Sequence, residues 1–413
     1  MLEAESTWLY MLGKIQVNMT AMSITGRVVI VGGGVLGTMH ALAARKRGFE
    51  VVQLEREREA RGASVRNFGL VWVSGRRPGA EVELALRARE LWAEIGSLVP
   101  GVGFRPAGSM TLASDDCELS VLKEAAALPD ADRRGFELLD PAAVRQVNPA
   151  LRGEFAGGLW CKTDGIVEPR LAQPALRAYL ATGGPVTGGP ATGGAATSGA
   201  ATGGGYSWLP GREVTEIAAN AVRDHTGEWH HGDLVVLCTG ATLTGVAGPH
   251  LAGYPAPPVR RVRLQMMQTR PFGQRVATSV ADGDSLRYYP AYDVPARASL
   301  APQHPVAARN RVQLLLVQRA DGSLTIGDTH EYDEPFTFDV DEDAYDDLRD
   351  RAEALLGTQL PPVQRRWAGV YCEVAGGGSL YHRSEVAPGV LLVTGPGGRG
   401  MTCSPAIAEE TFA

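Results

Sequence analysis

The chain has 413 residues, 44% hydrophobic and 21% charged, which is enough for two domains with cores of their own. A net charge of −6 speaks against a nucleic-acid partner recruited by bulk charge. The five cysteines are scattered and form no CxxC pair, so neither a metal site nor a disulfide framework is expected, and a reducing cytoplasm suits the chain.

Residues 1–24 mix apolar residues with Glu3, Glu5 and Lys14 and contain no long apolar run. They read as a disordered extension, not a signal peptide or membrane span, with Met19 and Met22 as alternative starts. An apolar strand, Val28 to Val31, then runs into Gly32-x-Gly34-x-x-Gly37. A helical pattern continues through Ala44, Gly48 ends it, and a second strand from Val51 to Leu54 delivers Glu55. Gly32 permits a tight turn, Gly34 lets backbone approach a pyrophosphate, and Gly37 lets helix and strand pack closely. The helix N-terminus favours phosphate, and Glu55 can accept hydrogen bonds from both ribose hydroxyls. GxGxxG alone is a weak signal, but strand, helix, strand and acid at these spacings mark a dinucleotide site.

The stretch 61–69, Arg-Gly-Ala-Ser-Val-Arg-Asn-Phe-Gly, follows the acid and is placed to lie along a bound dinucleotide. Helical periodicity runs from Ala80 to Leu98, from Leu171 to Leu180 and from Asp343 to Leu356. Residues 183–205 are an imperfect five-residue repeat of Gly, Ala, Thr and Pro that cannot pack a core and reads as a flexible insertion. Strand-like runs occupy Val262 to Thr269, Arg311 to Val317 and Leu324 to Ile326, the last behind an Asp321-Gly322 turn. Near the end a strand, Leu391 to Thr394, meets Gly395-Pro396-Gly397-Gly398-Arg399-Gly400-Met401-Thr402. Ser404 and Pro405 then read as the N-cap and first residue of a helix. A second helix N-terminus suits the negative charge of a reduced flavin, so glycine turns at both ends of the chain favour FAD over NAD.

From about Arg27 to its end the chain resembles the D-amino acid oxidase-like FAD oxidoreductases, which include glycine oxidase and sarcosine oxidase. The resemblance rests on the first glycine turn with Glu55, on Ser64-Val65-Arg66-Asn67-Phe68-Gly69 and on Asp164-Gly165-Ile166-Val167-Glu168-Pro169. It also rests on Asp233 to Ala241 and on the terminal glycine loop. It implies an α/β fold: a Rossmann-type FAD-binding domain (residues 25–80, 140–250 and 365–413) interleaved with a mixed-sheet α+β substrate domain (81–139 and 251–364). The repeat falls where relatives carry an FAD-domain strand, which implies that it has replaced that strand. The implied FAD contacts are Gly32, Gly34, Gly37, Glu55, Arg56, Ser64, Arg66, Asn67, Gly69, Gly240, Gly397, Gly398, Gly400, Met401 and Thr402. Cys372 lies near the cysteine to which sarcosine oxidases tether flavin but does not align with it. Two stretches, Ala63 to Gly69 and Gly395 to Thr402, look most like a subgroup linked with phosphonate breakdown and proposed to oxidise aminophosphonates.

Amine oxidation by a flavin asks little of side chains beyond placing a C–H bond, keeping the nitrogen neutral and holding the rest of the substrate. No Ser/His/Asp or HExxH pattern stands out, and His230-His231 read as surface residues. The candidates over the flavin are Tyr288, Tyr371 and Arg399, with Arg287, Tyr289, Tyr381, His382 and Arg383 as possible helpers. Relatives that oxidise amino acids place an Arg near Tyr371 to pair with the carboxylate. The expected function is FAD-dependent oxidation of a small anionic amine, with oxygen or another acceptor taking the electrons. Two alternatives stay open: oxidation of a 2-hydroxy acid, for which His382 is the one base found, and a non-catalytic FAD-binding subunit.

Overall fold

In the computed structural model, which describes residues 26–184, 201–203, 205–252, 258–376 and 379–413, the first apolar run becomes the central strand of a parallel sheet. This strand, β1 (Arg27–Val31), is followed by helix α1 (Val35–Lys46) and strand β2 (Glu50–Glu55). Val28, Val29 and Ile30 are fully buried, as expected of a strand covered on both faces. The sheet has seven strands, in the order His382–Ala387, Val390–Thr394, Leu234–Leu237, β1, β2, Tyr206–Pro210 and Ala201–Gly203. Its five inner strands are parallel and both edge strands antiparallel. Val31 lies opposite Leu54, so Gly32 and Glu55 leave the sheet side by side at its C-terminal edge. In open α/β sheets that edge is where ligands bind.

The second sheet has eight strands, in the order Val363–Val374, Val259–Pro271, Ser323–Gly327, Leu315–Gln318, Ser279–Ala281, Ser109–Ala113, Gly157–Cys161 and Phe136–Leu139. One pair, Ser279–Ala281 with Ser109–Ala113, is parallel and the others are antiparallel. The fold is thus α/β, a parallel sheet joined to a mixed one. Two strands from segments that sequence position groups with the FAD side, Gly157–Cys161 and Val363–Val374, belong to the mixed sheet. Their partners are distant in sequence, so no local pattern reveals the pairing. Conversely, α2 (Ala80–Leu98) packs on the C-terminal helix, which in turn packs on α1, and its Trp92 joins the core beneath the parallel sheet.

Three local expectations need correction. The extension 1–24 and most of the repeat lie outside the described residues, but Ala201–Gly203 forms an edge strand and the Gly205 carbonyl accepts a hydrogen bond from Val51 N at 2.8 Å. Tyr206–Pro210 pairs in parallel with β2, so the strand expected to be lost follows the repeat instead. His230 is buried, with Nε2 3.0 Å from Asp224 Oδ2.

The C-terminal helix begins at Gly400, leaving Ser404 and Pro405 in its interior. A proline there has no N–H for the carbonyl four residues back, which is that of Met401. That carbonyl accepts Trp92 Nε1 at 2.9 Å instead, so α2 supplies the missing donor. Trp92→Phe should lower stability by about 1 kcal/mol, the net worth of one buried hydrogen bond. Adding Pro405→Ala should recover most of that loss, because the helix then satisfies Met401 itself; chemical denaturation of the four variants of this cycle checks it.

Candidate active site

The C-terminal edge of the parallel sheet opens onto a cavity of about 860 Å³ whose other wall is the mixed sheet. Gly32, Gly34, Glu55 and Arg56 line it from the first glycine turn, and Gly240, Gly397, Gly398, Gly400 and Met401 from the other parallel strands. Glu55 and the terminal glycine loop leave the sheet three strands apart, roughly 14 Å at ordinary strand spacing, so one extended ligand can touch both.

The first turn is built by close approach. A Cβ on Gly37 would sit 2.1 Å from the Gly32 carbonyl oxygen, so only glycine lets α1 start this near β1. Gly32 itself has φ +114°, a backbone region that other residues rarely adopt. Glu55 Oε2 accepts Gly33 N at 2.7 Å and Oε1 accepts Glu57 N at 3.0 Å. These bonds hold the carboxylate in place while each oxygen keeps accepting capacity for a ribose. Beside Gly240 the buried Thr239 hydroxyl has no partner in the protein, and both residues line the cavity. A glycine turn at a helix N-terminus, a fixed acid and an unspent hydroxyl together fit a dinucleotide.

The loop carrying Ser64, Arg66 and Asn67 also lines the cavity, but much of its polarity is spent on the protein. Ser64 Oγ accepts Val35 N at 2.8 Å, and Arg66 Nη1 donates to the Ala368 carbonyl at 3.0 Å. Asn67 bonds Ala63, Ser64 and Gly69 within its own loop. Gly37, Gly69 and Thr402 do not reach the cavity wall. Gly69 meets Val167 through its carbonyl, and the Thr402 hydroxyl ties Leu70 to Trp72, so both support the contact loops from behind.

Of the substrate candidates, Tyr288, Tyr289, Tyr371 and Arg399 converge on the cavity. The Tyr288 and Tyr371 hydroxyls lie 3.3 Å apart, and burial pushes both phenols above their usual range, which keeps them protonated. A Cβ on Gly398 would be 3.6 Å from the Tyr288 hydroxyl, so this tyrosine stands directly over the terminal glycine loop. Arg399 Nε donates to Glu81 Oε1 at 2.9 Å, and Arg76 Nη1 lies 3.8 Å from the same oxygen. Two guanidinium groups sharing one carboxylate leave this wall positive. The other helpers lie elsewhere. Arg287 pairs with Asp284, Arg383 bonds Ile407 and Thr411, Tyr381 bonds Glu410, and His382 bonds Ser384.

Sequence reasoning alone misses Gln313, Asp328 and His330, all buried and all on the cavity wall. His330 Nδ1 is 3.1 Å from the Arg311 carbonyl, which can only accept, so Nδ1 carries the hydrogen and Nε2 is left as an acceptor in the neutral ring. The Tyr288 ring covers it at 4.4 Å between centroids. The one available signal is the Asp-x-His spacing just past the strand Ser323–Gly327, which puts both side chains on one side of extended backbone. Cys372 also lines the cavity, 3.6 Å from Thr394 Oγ1, and burial pushes its thiol up to about 11, so it is no thiolate at neutral pH. Asp224, Glu228 and His230 cluster closely enough to hold a metal, but Arg212 already bridges the two carboxylates at 2.7 and 3.0 Å. If Glu55 holds the adenosine ribose, Glu55→Ala should weaken FAD binding to the apoprotein by roughly 1–3 kcal/mol, the worth of a charge-assisted bond, as read by flavin fluorescence titration.

Comparison with known proteins agrees with this geometry. The family model described as "DAO: FAD dependent oxidoreductase" matches residues 27–413. Glycine oxidase from Geobacillus kaustophilus superposes with a TM-score of 0.69 at 20% identity, over 93% of each chain. L-proline dehydrogenase from P. horikoshii gives 0.70 at 19% identity, over 94% of this chain and 92% of that one. Iminodiacetate oxidase from Chelativorans sp. BNC1 gives 0.67 at 16%, over 93% of both. Among curated proteins, an opine oxidase subunit from Rhizobium meliloti is 28% identical over 150 residues, 33% of this chain and only 40% of that protein's length. Among the described residues no helix is long and apolar enough to cross a membrane. The glycine turn, the acid that locks it and a family match spanning almost the whole chain lead to one conclusion: the chain belongs to the FAD dependent oxidoreductase family.

Proposed function

We propose that this chain oxidises a C–N bond of a small amine that also carries an anionic group, such as an aminophosphonate. The observation that carries this reading is the meeting of Tyr288, Tyr371 and Arg399 on the cavity wall at the terminal glycine loop, where the Tyr288 hydroxyl stands over Gly398. Bound FAD supplies the hydride acceptor. The protein's part is to fix the substrate there, with the C–H beside nitrogen facing the glycine loop. Neutral Tyr288 and Tyr371 hydroxyls donate to or accept from the substrate without adding charge. The imine formed is hydrolysed by water, and oxygen or another acceptor takes the electrons.

The anionic group is drawn by the positive wall of Arg76, Glu81 and Arg399. Tyr371 stands where amino-acid-oxidising relatives carry an Arg, so the bidentate carboxylate clamp is missing. A phosphonate accepts hydrogen bonds in three directions and suits several donors better than one fork. The comparisons support amine chemistry at a coarser level, since similar structures are named for glycine, L-proline and iminodiacetate.

A second reading, 2-hydroxy acid oxidation, is favoured by the free Nε2 of His330, a base of the kind an alcohol proton needs. Anaerobic flavin bleaching against amines, aminophosphonates and hydroxy acids separates the readings; bleaching by none of them identifies a non-catalytic FAD-binding subunit. Arg399→Ala should lower kcat/KM for an anionic amine by about 1.5–3 kcal/mol through a raised KM, and affect an uncharged amine much less. Equal losses for both would reduce Arg399 to a scaffold for the loop, and faster turnover of glycine or D-alanine than of every aminophosphonate would reject the phosphonate reading.

A further inference from the structure

We infer that Asp328 and Gln313 form the subsite that receives the substrate nitrogen as an ammonium ion and that Asp328 takes its proton. This rests on the amine reading of the same cavity and assigns a residue to a requirement that reading leaves open, namely how a nitrogen that arrives charged is made neutral.

Asp328 is 5% exposed and faces the cavity. Its backbone is pinned to Gln313 by reciprocal hydrogen bonds of 2.8 and 3.1 Å, which fix where the side chain starts. The carboxylate accepts a single side-chain bond, from Gln313 Nε2 at 3.3 Å, and no cation lies within ion-pair distance of it among the described residues. The arginines nearby in sequence and sheet are turned elsewhere: Arg260 and Arg311 lie over the ring of Tyr332, and Arg263 pairs with Glu331. A buried carboxylate without a counter-ion is costly, so it either takes a proton or takes a cation from outside. Burial indeed raises its proton affinity.

A second observation points to the same ligand. Gln313 Oε1 is buried and has no hydrogen-bond partner. With the Asp328 carboxylate it gives this part of the cavity wall two buried acceptors that no arginine or lysine pairs with among the described residues, a set that suits N–H bonds arriving from a ligand. The positive wall at Arg399 holds the substrate's anionic group, so the cavity presents opposite charges to the two ends of a zwitterion.

The step is a proton transfer. One N–H bond of the ammonium breaks, an O–H bond forms on Asp328, and the electron pair of the broken bond stays on nitrogen. Asp328 becomes a neutral acid, the form its burial favours, and the nitrogen holds the lone pair that a C=N bond requires once the adjacent hydride leaves. A hydroxy acid brings no cation to this subsite and leaves Asp328 without a partner.

The test uses the FAD-loaded full chain and reads ligand binding from perturbation of the flavin absorption spectrum, with ethylammonium, ethanol and ethylphosphonate as probes. The wild type should bind ethylammonium at least about tenfold more tightly than ethanol, as expected for a charge-assisted contact. Asp328→Asn, nearly identical in shape, should weaken ethylammonium by about 10–100-fold and leave ethylphosphonate unchanged or tighter. Unchanged ethylammonium binding in that variant, equal loss of both ions, or wild-type binding no better than ethanol would overturn the assignment. The wild-type comparison of ethylammonium with ethanol decides the matter even if the variant fails to hold FAD. Failure of every amine to bleach the flavin would overturn the amine reading, while the binding arm would still decide the role of Asp328.

Discussion

Everything in the cavity depends on how closely α1 starts beside β1. The space between Gly37 and the Gly32 carbonyl leaves no room for a side chain, and that contact aims the helix N-terminus at the C-terminal edge of the sheet. Glu55 turns the same approach into a rigid turn by accepting Gly33 N, so one carboxylate both closes the loop and presents its remaining lone pairs to a ligand. Hydrogen bonds to a charged acceptor are among the stronger ones, and this one is part-buried, where screening is weak.

The two sheets meet through Arg319. Its guanidinium is buried in the loop after Leu315–Gln318 yet donates to the Phe68 carbonyl at 2.7 Å and to the Val167 carbonyl at 3.2 Å, with Glu168 at 3.7 Å. Phe68 ends the loop along the first glycine turn, and Val167 precedes the helix Pro169–Ala181. Arg66 makes the matching contact to Ala368 in the mixed sheet. The roof of the cavity is therefore bolted to its floor by two arginine side chains that bond backbone carbonyls across the junction.

Much of this is legible in the sequence, and the reasons are specific. The strand–turn–helix–strand around Gly32 carries its own periodicity and spacing, and the expected α2 limits match those observed because Gly79, at φ +93°, stops the chain from continuing upstream. The start of the C-terminal helix is misplaced by sequence because Pro405 looks like a first residue; the donor that lets it sit inside the helix is Trp92, far away in the chain. The strand expected from Arg311 begins at Leu315, since Arg311 itself adopts a left-handed conformation. Asp328, His330 and Gln313 are invisible for a like reason. Each sits in unremarkable local sequence, and they come together only through the pairing of strands Leu315–Gln318 and Ser323–Gly327.

The double attachment of the terminal glycine loop to α2 has a mechanical consequence. Glu81, in the first turn of that helix, holds Arg399, and Trp92 holds Met401. The two anchors are about 16 Å apart along the helix axis, while the residues they grip are neighbours but one in the chain. The helix thus acts as a torsion bar: tilting it raises one anchor and lowers the other, which twists the loop about its own axis more than it shifts it sideways. The wall beneath Tyr288 is for that reason as stiff as α2 and its packing on the C-terminal helix, although the loop itself is composed largely of glycine.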